Sequence, residues 1–246
     1  MKKWLKIFIA ILTSAVVLLA GGFFVWSQFT YKPSKDLTRL VPEDSYTETD
    51  GILYFDPSGT KTEAGVILYP GAKVEPEAYA FIGQELAKTG ITVAIPEMPF
   101  HFAILGTGNA EKAQSSRPKI KKWYIGGHSL GGVAAANYAA KHEKSVEGVF
   151  FLASYPAESA KLKQTNVDVL SISAANDGLT SLDDIENSKK NVPDDALFYE
   201  IKGGNHAQFG LYGKQKGDHS AEIPAEEQQK QIIQYIENWI KRGSGK

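Results

Sequence analysis

The sequence predicts an α/β fold: a mostly parallel central sheet flanked by helices, preceded by one N-terminal transmembrane helix. Three observations carry this. From Gly51 onward, short apolar runs alternate with helix-patterned segments, the order that builds a parallel sheet through strand–helix–strand crossovers. Runs such as 65–69 are continuously apolar, as strands covered on both faces are. The N-terminus opens with an uncharged run of 20 residues, 7–26, the length a helix needs to cross ~30 Å of hydrocarbon.

That run follows Lys2, Lys3 and Lys6 and has Trp4 and Trp26 at its ends, where aromatic rings favour a membrane interface. The three lysines favour a cytoplasmic N-terminus. Lys32, Lys35 and Arg39 weaken that preference. The expected organisation is a membrane anchor over 1–26, a linker over 27–48 and an α/β domain over 49–243. The chain would then be a single-pass protein of the cell membrane with its domain outside the cytoplasm. The alternative is a cleaved signal peptide and a secreted product, with a small-residue site at Ala20-Gly21-Gly22. The apolar run is long for that class, whose cores span ~7–15 residues. Residues 27–48 carry Pro33, Pro42 and several charges without a clear period, and read as irregular.

The domain elements follow in order. Residues 51–55 read as a strand, ended by Asp56-Pro57-Ser58-Gly59. The strand over 65–69 is broken by Pro70-Gly71. Tyr79, Ile82 and Leu86 recur at helical spacing, and Gly90 stops them. Residues 91–95 form a strand and 109–116 a short helix. The strand over 122–125 runs into Gly126-Gly127, followed by an Ala-rich segment of high helix propensity. Strands are expected over 147–152, 167–172 and 197–201, with a helix over 182–190. At the C-terminus, Ile232, Ile233, Ile236 and Ile240 make one stripe, and Glu226 and Glu227 suit the first turn of that helix.

Composition narrows the function. Lys and Arg number 27 and Asp and Glu 28, so no basic excess exists to hold nucleic acid. The chain has no Cys, which excludes disulfides, thiolate metal sites and a cysteine nucleophile. No histidine pair has metal-ligand spacing, so no metal or other cofactor is expected. The partner expected at this point is the membrane, through the N-terminal run.

The chemistry-bearing segment is Gly127-His128-Ser129-Leu130-Gly131, which fits G-x-S-x-G. An apolar strand ends before it and a helix begins after it, the context the motif demands. Ser129 must hold strained backbone angles so that its hydroxyl stands clear of the sheet, and the two glycines keep side chains out of the turn. The helix that follows aims its first amides at the site of attack.

On these residues the chain resembles the α/β-hydrolase superfamily, near its small cap-less members related to dienelactone hydrolases and carboxylesterases. The resemblance spans roughly 51–242. It implies a sheet of eight strands or slightly fewer, and acyl transfer at the strand ends. Its chain order is Ser, then acid, then His. Of the histidines after Ser129, His142 lies about 20 Å away along the helix at ~1.5 Å per residue. His206 lies in Gly203-Gly204-Asn205-His206, which resembles the family's histidine loop, and His219 is a weaker second. Asp177, just past the strand over 167–172, resembles the family's acid, although Asn176-Asp177-Gly178 is also a turn signal. For the oxyanion hole, the resemblance implies the backbone amides of Leu130 and Ala72, or Lys73 if the loop is shifted. Pro70 stands where relatives often have His. Residues 96–102, with Phe100, His101 and Phe102, either line a substrate pocket or cover the sheet end. His128 is expected to pack beneath the turn.

The function that follows is hydrolysis of a carboxylic ester through an acyl-enzyme on Ser129, without a cofactor. The same residues would serve a peptidase, thioesterase, lipase or acyltransferase. A reading of another class is a surface-anchored binding protein that keeps the fold without turnover. Only about a dozen residues separate the strand ending at Leu152 from Val167, so an open site without a cap is expected.

Overall fold

The computed structural model describes residues 2–59 and 62–243, without the side chain of Glu43. Met1 of the expected anchor and residues 60 and 61 of the expected domain lie outside the described residues. The chain opens with α1 (Lys2–Ser27), exposed along its length until Ser27, which is fully buried. It has no charge after Lys6. The stretch read as irregular holds three short elements, α2 (Lys35–Leu40), a 3-10 turn (Glu43–Ser45) and β1 (Thr47–Thr49). Leu37 and Val41 are buried in the core, so this segment is packed against the domain.

Next come β2 (Ile52–Phe55), β3 (Ala64–Tyr69), α3 (Ala80–Lys88), β4 (Thr92–Pro96) and α4 (Asn109–Ser116). β5 (Lys122–His128) leads into α5 (Leu130–Lys141), followed by β6 (Gly148–Leu152) and β7 (Asp168–Ala174). The chain closes with α6 (Leu182–Ser188), β8 (Leu197–Ile201) and α7 (Ala225–Gly243). These strands form one eight-stranded sheet in the order β1-β2-β4-β3-β5-β6-β7-β8. The pairs from β4 to β8 are parallel, and β1 and β2 add antiparallel at one edge.

The central strands are buried on both faces because each face carries its own core. On one, Val66, Leu68, Val93 and Ile95 meet Ile82 and Leu86 of α3 and Ile232, Ile236 and Ile240 of α7. On the other, Ile67, Tyr69, Trp123 and Ile125 meet Ala134, Ala135 and Ala139 of α5. Small side chains let α5 lie close to the sheet: a Cβ on Gly132 would stand 2.5 Å from Ser154 Oγ. Between β6 and β7 the described chain holds only two short 3-10 turns, Glu158–Ala160 and Leu162–Gln164, and no cap.

The topology also locates a site. After β3 the chain builds β4 on one side, then crosses to build β5 on the other. β3 stays paired with β5 to its last residue, Tyr69 opposite Gly127, and the chain then leaves the two strands toward opposite faces, to α3 and to α5; such a switch point opens the crevice where ligands of parallel sheets bind. Residues 70–73 leave β3 into this crevice, and Ser129 leaves β5 into it.

Candidate active site

β5 ends in Gly126-Gly127-His128, and the chain turns sharply at Ser129, where φ is 52° and ψ is −122°. An L-residue is strained there, and such strain persists only where the surroundings impose it. Missing side chains allow the turn. A Cβ on Gly127 would lie 2.4 Å from the Gly131 carbonyl carbon, and one on Gly131 would lie 2.2 Å from the Tyr69 carbonyl oxygen. The turn is tied from both sides. The Ser129 N–H donates to the Leu152 carbonyl at 2.9 Å, and Ser154 Oγ donates to the Ser129 carbonyl at 2.6 Å. Ser129 is half-buried, and its Oγ has no hydrogen-bond partner among the described residues.

Asp177 and His206 meet across the next loops. Asp177 Oδ2 lies 2.8 Å from His206 Nδ1, and both side chains are 1% exposed. Asp177 Oδ1 accepts the N–H groups of Leu179 and Thr180, each at 2.7 Å. With Nδ1 donating to the carboxylate, a neutral His206 presents Nε2 as a bare acceptor. That nitrogen is buried and has no partner among the described residues. The His206 ring lies 4.6 Å from the ring of His128, the neighbour of Ser129.

Two groups that the sequence did not single out hold these loops. Asp218 Oδ1 accepts from Gly178 N–H at 3.0 Å and His206 N–H at 3.3 Å, and its Oδ2 accepts from Ala207 N–H at 2.8 Å. One carboxylate thus joins the Asp177 loop to the His206 loop. Gln228 of α7, fully buried, clamps the Asn205 backbone by accepting from its N–H at 3.0 Å and donating to its carbonyl at 2.8 Å. In the sequence Asp218 is only a neighbour of His219, and Gln228 lies one turn ahead of the apolar stripe.

On the β3 side, the amides of Ala72 and Leu130 have no acceptor among the described residues. The Lys73 N–H donates to the His101 carbonyl at 2.8 Å. The Gly71 N–H donates to Tyr79 Oη at 2.9 Å, and Tyr79 Oη lies 2.8 Å from His128 Nδ1. With Gly71 donating into the phenol oxygen, the phenol proton is directed to Nδ1, which makes His128 the neutral Nε2–H tautomer. Burial, then the proximity of His206, holds the His128 imidazole well below its usual range, against a smaller opposing contribution from the His206 backbone. Burial likewise pushes the Tyr79 phenol up.

The other histidines stand apart. His142 caps the far end of α5, where it lies 3.6 Å from Glu111 and stacks on Tyr138. His219 is exposed, and its backbone alone is engaged: its carbonyl accepts from Asn205 Nδ2 at 2.7 Å, and its N–H donates to Asp218 Oδ1 at 2.9 Å. Phe100 and Phe102 face α1, with Phe23 5.7 Å from Phe100 and Trp26 5.8 Å from Phe102. Among the described residues no three acidic or histidine side chains gather as a metal site would require.

The solved structures similar to this chain share its fold at low sequence identity. Est1E from Butyrivibrio proteoclasticus superposes with a TM-score of 0.60 at 14% identity, over 80% of this chain and 98% of that one. A monoacylglycerol lipase from Paleococcus ferrophilus gives 0.61 at 15% identity, over 76% and 98%. A dienelactone hydrolase from Anabaena variabilis gives 0.58 at 14% identity, over 76% and 90%. A search of curated proteins gave no match. The sequence profile of the alpha/beta hydrolase family matches residues 65–230, more than half of the chain. With the strand order, the glycine turn at Ser129 and this match in hand, the chain belongs to the α/β hydrolase family.

Proposed function

We propose that this hydrolase cleaves carboxylic esters through an acyl-enzyme on Ser129, with His206 as base and Asp177 holding it. The observation that carries the reading is the buried Asp177–His206 pair at 2.8 Å, set beside the strained Ser129 turn. His206 Nε2 takes the Ser129 proton as Oγ attacks the ester carbonyl carbon. The oxyanion is met by the Ala72 and Leu130 amides, and the prior engagement of the Lys73 amide favours Ala72 over Lys73. The tetrahedral adduct collapses, and the leaving alkoxide departs with the proton from Nε2. Water then repeats the route, releasing the acid and restoring Ser129. Asp177 keeps Nδ1 protonated and stabilises the imidazolium that forms between the steps.

The test is fluorophosphonate labelling of the full chain, alongside hydrolysis of a short-chain ester. Ser129→Ala should abolish both. His206→Ala should abolish labelling, and Asp177→Asn should slow hydrolysis at least about a hundredfold. A folded wild-type chain that takes no label sinks the reading and favours the binding protein.

The same proposal keeps α1 as a membrane anchor, supported by its 26 residues and their exposure outside the body. Mass spectrometry of the membrane fraction should return the uncleaved 26.9 kDa chain. A mature protein lacking the first twenty or so residues overturns the anchor.

A further inference from the structure

α1 does not end in a free tether. Ser27 is fully buried. The Tyr31 N–H donates to the Lys73 carbonyl at 2.6 Å, and the Glu75 N–H donates to the Tyr31 carbonyl at 3.1 Å. Thr30 Oγ1 donates to Glu75 Oε1 at 2.7 Å. The last turn of α1 lies on the loop after β4: Phe23 is 5.7 Å from Phe100 and 6.1 Å from Phe102, and Trp26 stacks on Phe102. Lys73 Nζ sits 4.1 Å above the Trp26 ring. The anchor is therefore fastened to the loop that carries Ala72, and it leaves the body at the active-site edge of the sheet.

The exposed apolar side chains lie on that same edge. Among the described residues outside α1, the large exposed hydrophobic groups are Phe29, Phe100, Ile104, Leu105, Leu179 and Leu182. Phe100, Ile104 and Leu105 follow β4, two strands to one side of β5. Leu179 and Leu182 follow β7, two strands to the other side. Ser129 stands between the two groups. The opposite edge of the sheet has no exposed large apolar side chain among the described residues. Aromatic rings at the end of a membrane helix mark the depth of the interface. Trp26 is such a ring, and Phe102 stacked on it lies at the same depth.

We infer that the mouth of the active site rests on the bilayer that holds α1. Phe100, Ile104, Leu105, Leu179 and Leu182 dip into the interface around Ser129, and the ester comes from the membrane as an amphiphile with its acyl chain among the lipids. The substrate class rests on the hydrolase reading above, whereas the seating of the mouth does not. α1 alone would leave the body free to choose a face. The backbone pairing of Tyr31 with Lys73 and Glu75 removes that freedom, and the apolar rim lies on the face so presented.

The absence of cysteine makes the seating measurable. Leu105→Cys, Leu182→Cys and Lys144→Cys variants of the full chain, in phosphatidylcholine–phosphatidylglycerol vesicles, would each carry one fluorophore. Lys144 is exposed at the opposite edge, just before β6. Lipids bearing a quencher near the headgroup should quench at 105 and 182 several-fold more than at 144. Equal quenching at all three positions overturns the seating, whatever the enzyme does. For the substrate, a Leu105→Glu/Leu182→Glu double variant is compared with wild type. Hydrolysis of a long-chain ester embedded in vesicles should fall about tenfold or more, the scale of one lost apolar burial. Hydrolysis of a water-soluble short-chain ester should stay within about twofold. An equal fall on both esters, or none on either, overturns the substrate assignment. Fluorophosphonate labelling of Ser129 in the same vesicles separates this from failure of the hydrolase reading: label present with no preference for the embedded ester sinks the inference alone.

Discussion

At the scale of single residues, the site depends on atoms that bond backbone rather than substrate. Tyr79 is the clearest case. Its phenol satisfies the Gly71 amide and the His128 Nδ1 at once, so it fixes the loop before Ala72 to the floor beneath Ser129. Tyr79→Phe leaves two buried polar groups without a partner, and each such group costs about 1–3 kcal/mol. The expected result is a stability loss of a few kcal/mol in urea titration, with a fall in kcat larger than the change in KM as the loop carrying Ala72 loosens. A variant with unchanged stability and kcat would show that water replaces the phenol. Asp218 has a comparable place on the other wall, since its carboxylate gathers amides from both the Asp177 and His206 loops. Neither residue carries a motif.

At the scale of elements, α7 does two jobs from one helix. Its apolar stripe, Ile232, Ile236 and Ile240, covers the sheet, as the periodic isoleucines require. Its first turn points Gln228 and Gln229 inward, and both are fully buried. Gln228 grips Asn205, and Gln229 Nε2 donates to the Gln208 carbonyl at 2.6 Å, so the His206 loop is bracketed on both sides. Gln228→Ala should cost about 1–3 kcal/mol, because it strands the Asn205 N–H and carbonyl. Ester hydrolysis should fall with it while the expressed chain stays folded by circular dichroism. Full activity in a destabilised Gln228→Ala chain would mean the loop holds its geometry without the clamp. α6 ends the Asp177 loop by another local device, a capping box in which Ser181 Oγ accepts the Asp184 N–H and Asp184 Oδ2 accepts the Ser181 N–H.

At the scale of the whole molecule, the buried imidazole of His128 couples stability to pH. It faces Tyr79, His206, Phe209 and Tyr212, and its pKa lies well below 6.5 in the folded chain. Below pH 6.5 the unfolded chain takes up a proton that the folded chain refuses, so stability falls as pH drops through that value and continues to fall toward the folded pKa. Above pH 6.5 both states are neutral at this residue, and it contributes no slope. One such group gives at most about 1.4 kcal/mol per pH unit. Urea midpoints between pH 7 and 5 should show this loss, and His128→Gln should flatten it. An unchanged slope in His128→Gln would assign the acid sensitivity elsewhere.

Much of this was legible in the chain itself. The continuous apolar strands, the Ala-rich helix after Gly131 and the isoleucine stripe of α7 each express a period over a few residues, and short-range periods survive without knowledge of what packs on them. Ser129 was legible because its turn needs glycines at fixed offsets. His206 and Asp177 were nominated by chain order within the resemblance, and the tertiary structure adds their hydrogen bond. α2 and β1 were not legible, because six and three mostly polar residues carry no period. The sequence by itself determined the layers of the fold and the turn at its centre, since both follow from local pattern and backbone sterics. Only the tertiary structure decided which amides stay free, that Tyr79 reaches His128 across 49 positions, that Asp218 and Gln228 brace the histidine loop, and that the last turn of α1 packs on Phe102. Those contacts join residues far apart along the chain, and no local pattern encodes a meeting that chain closure alone brings about.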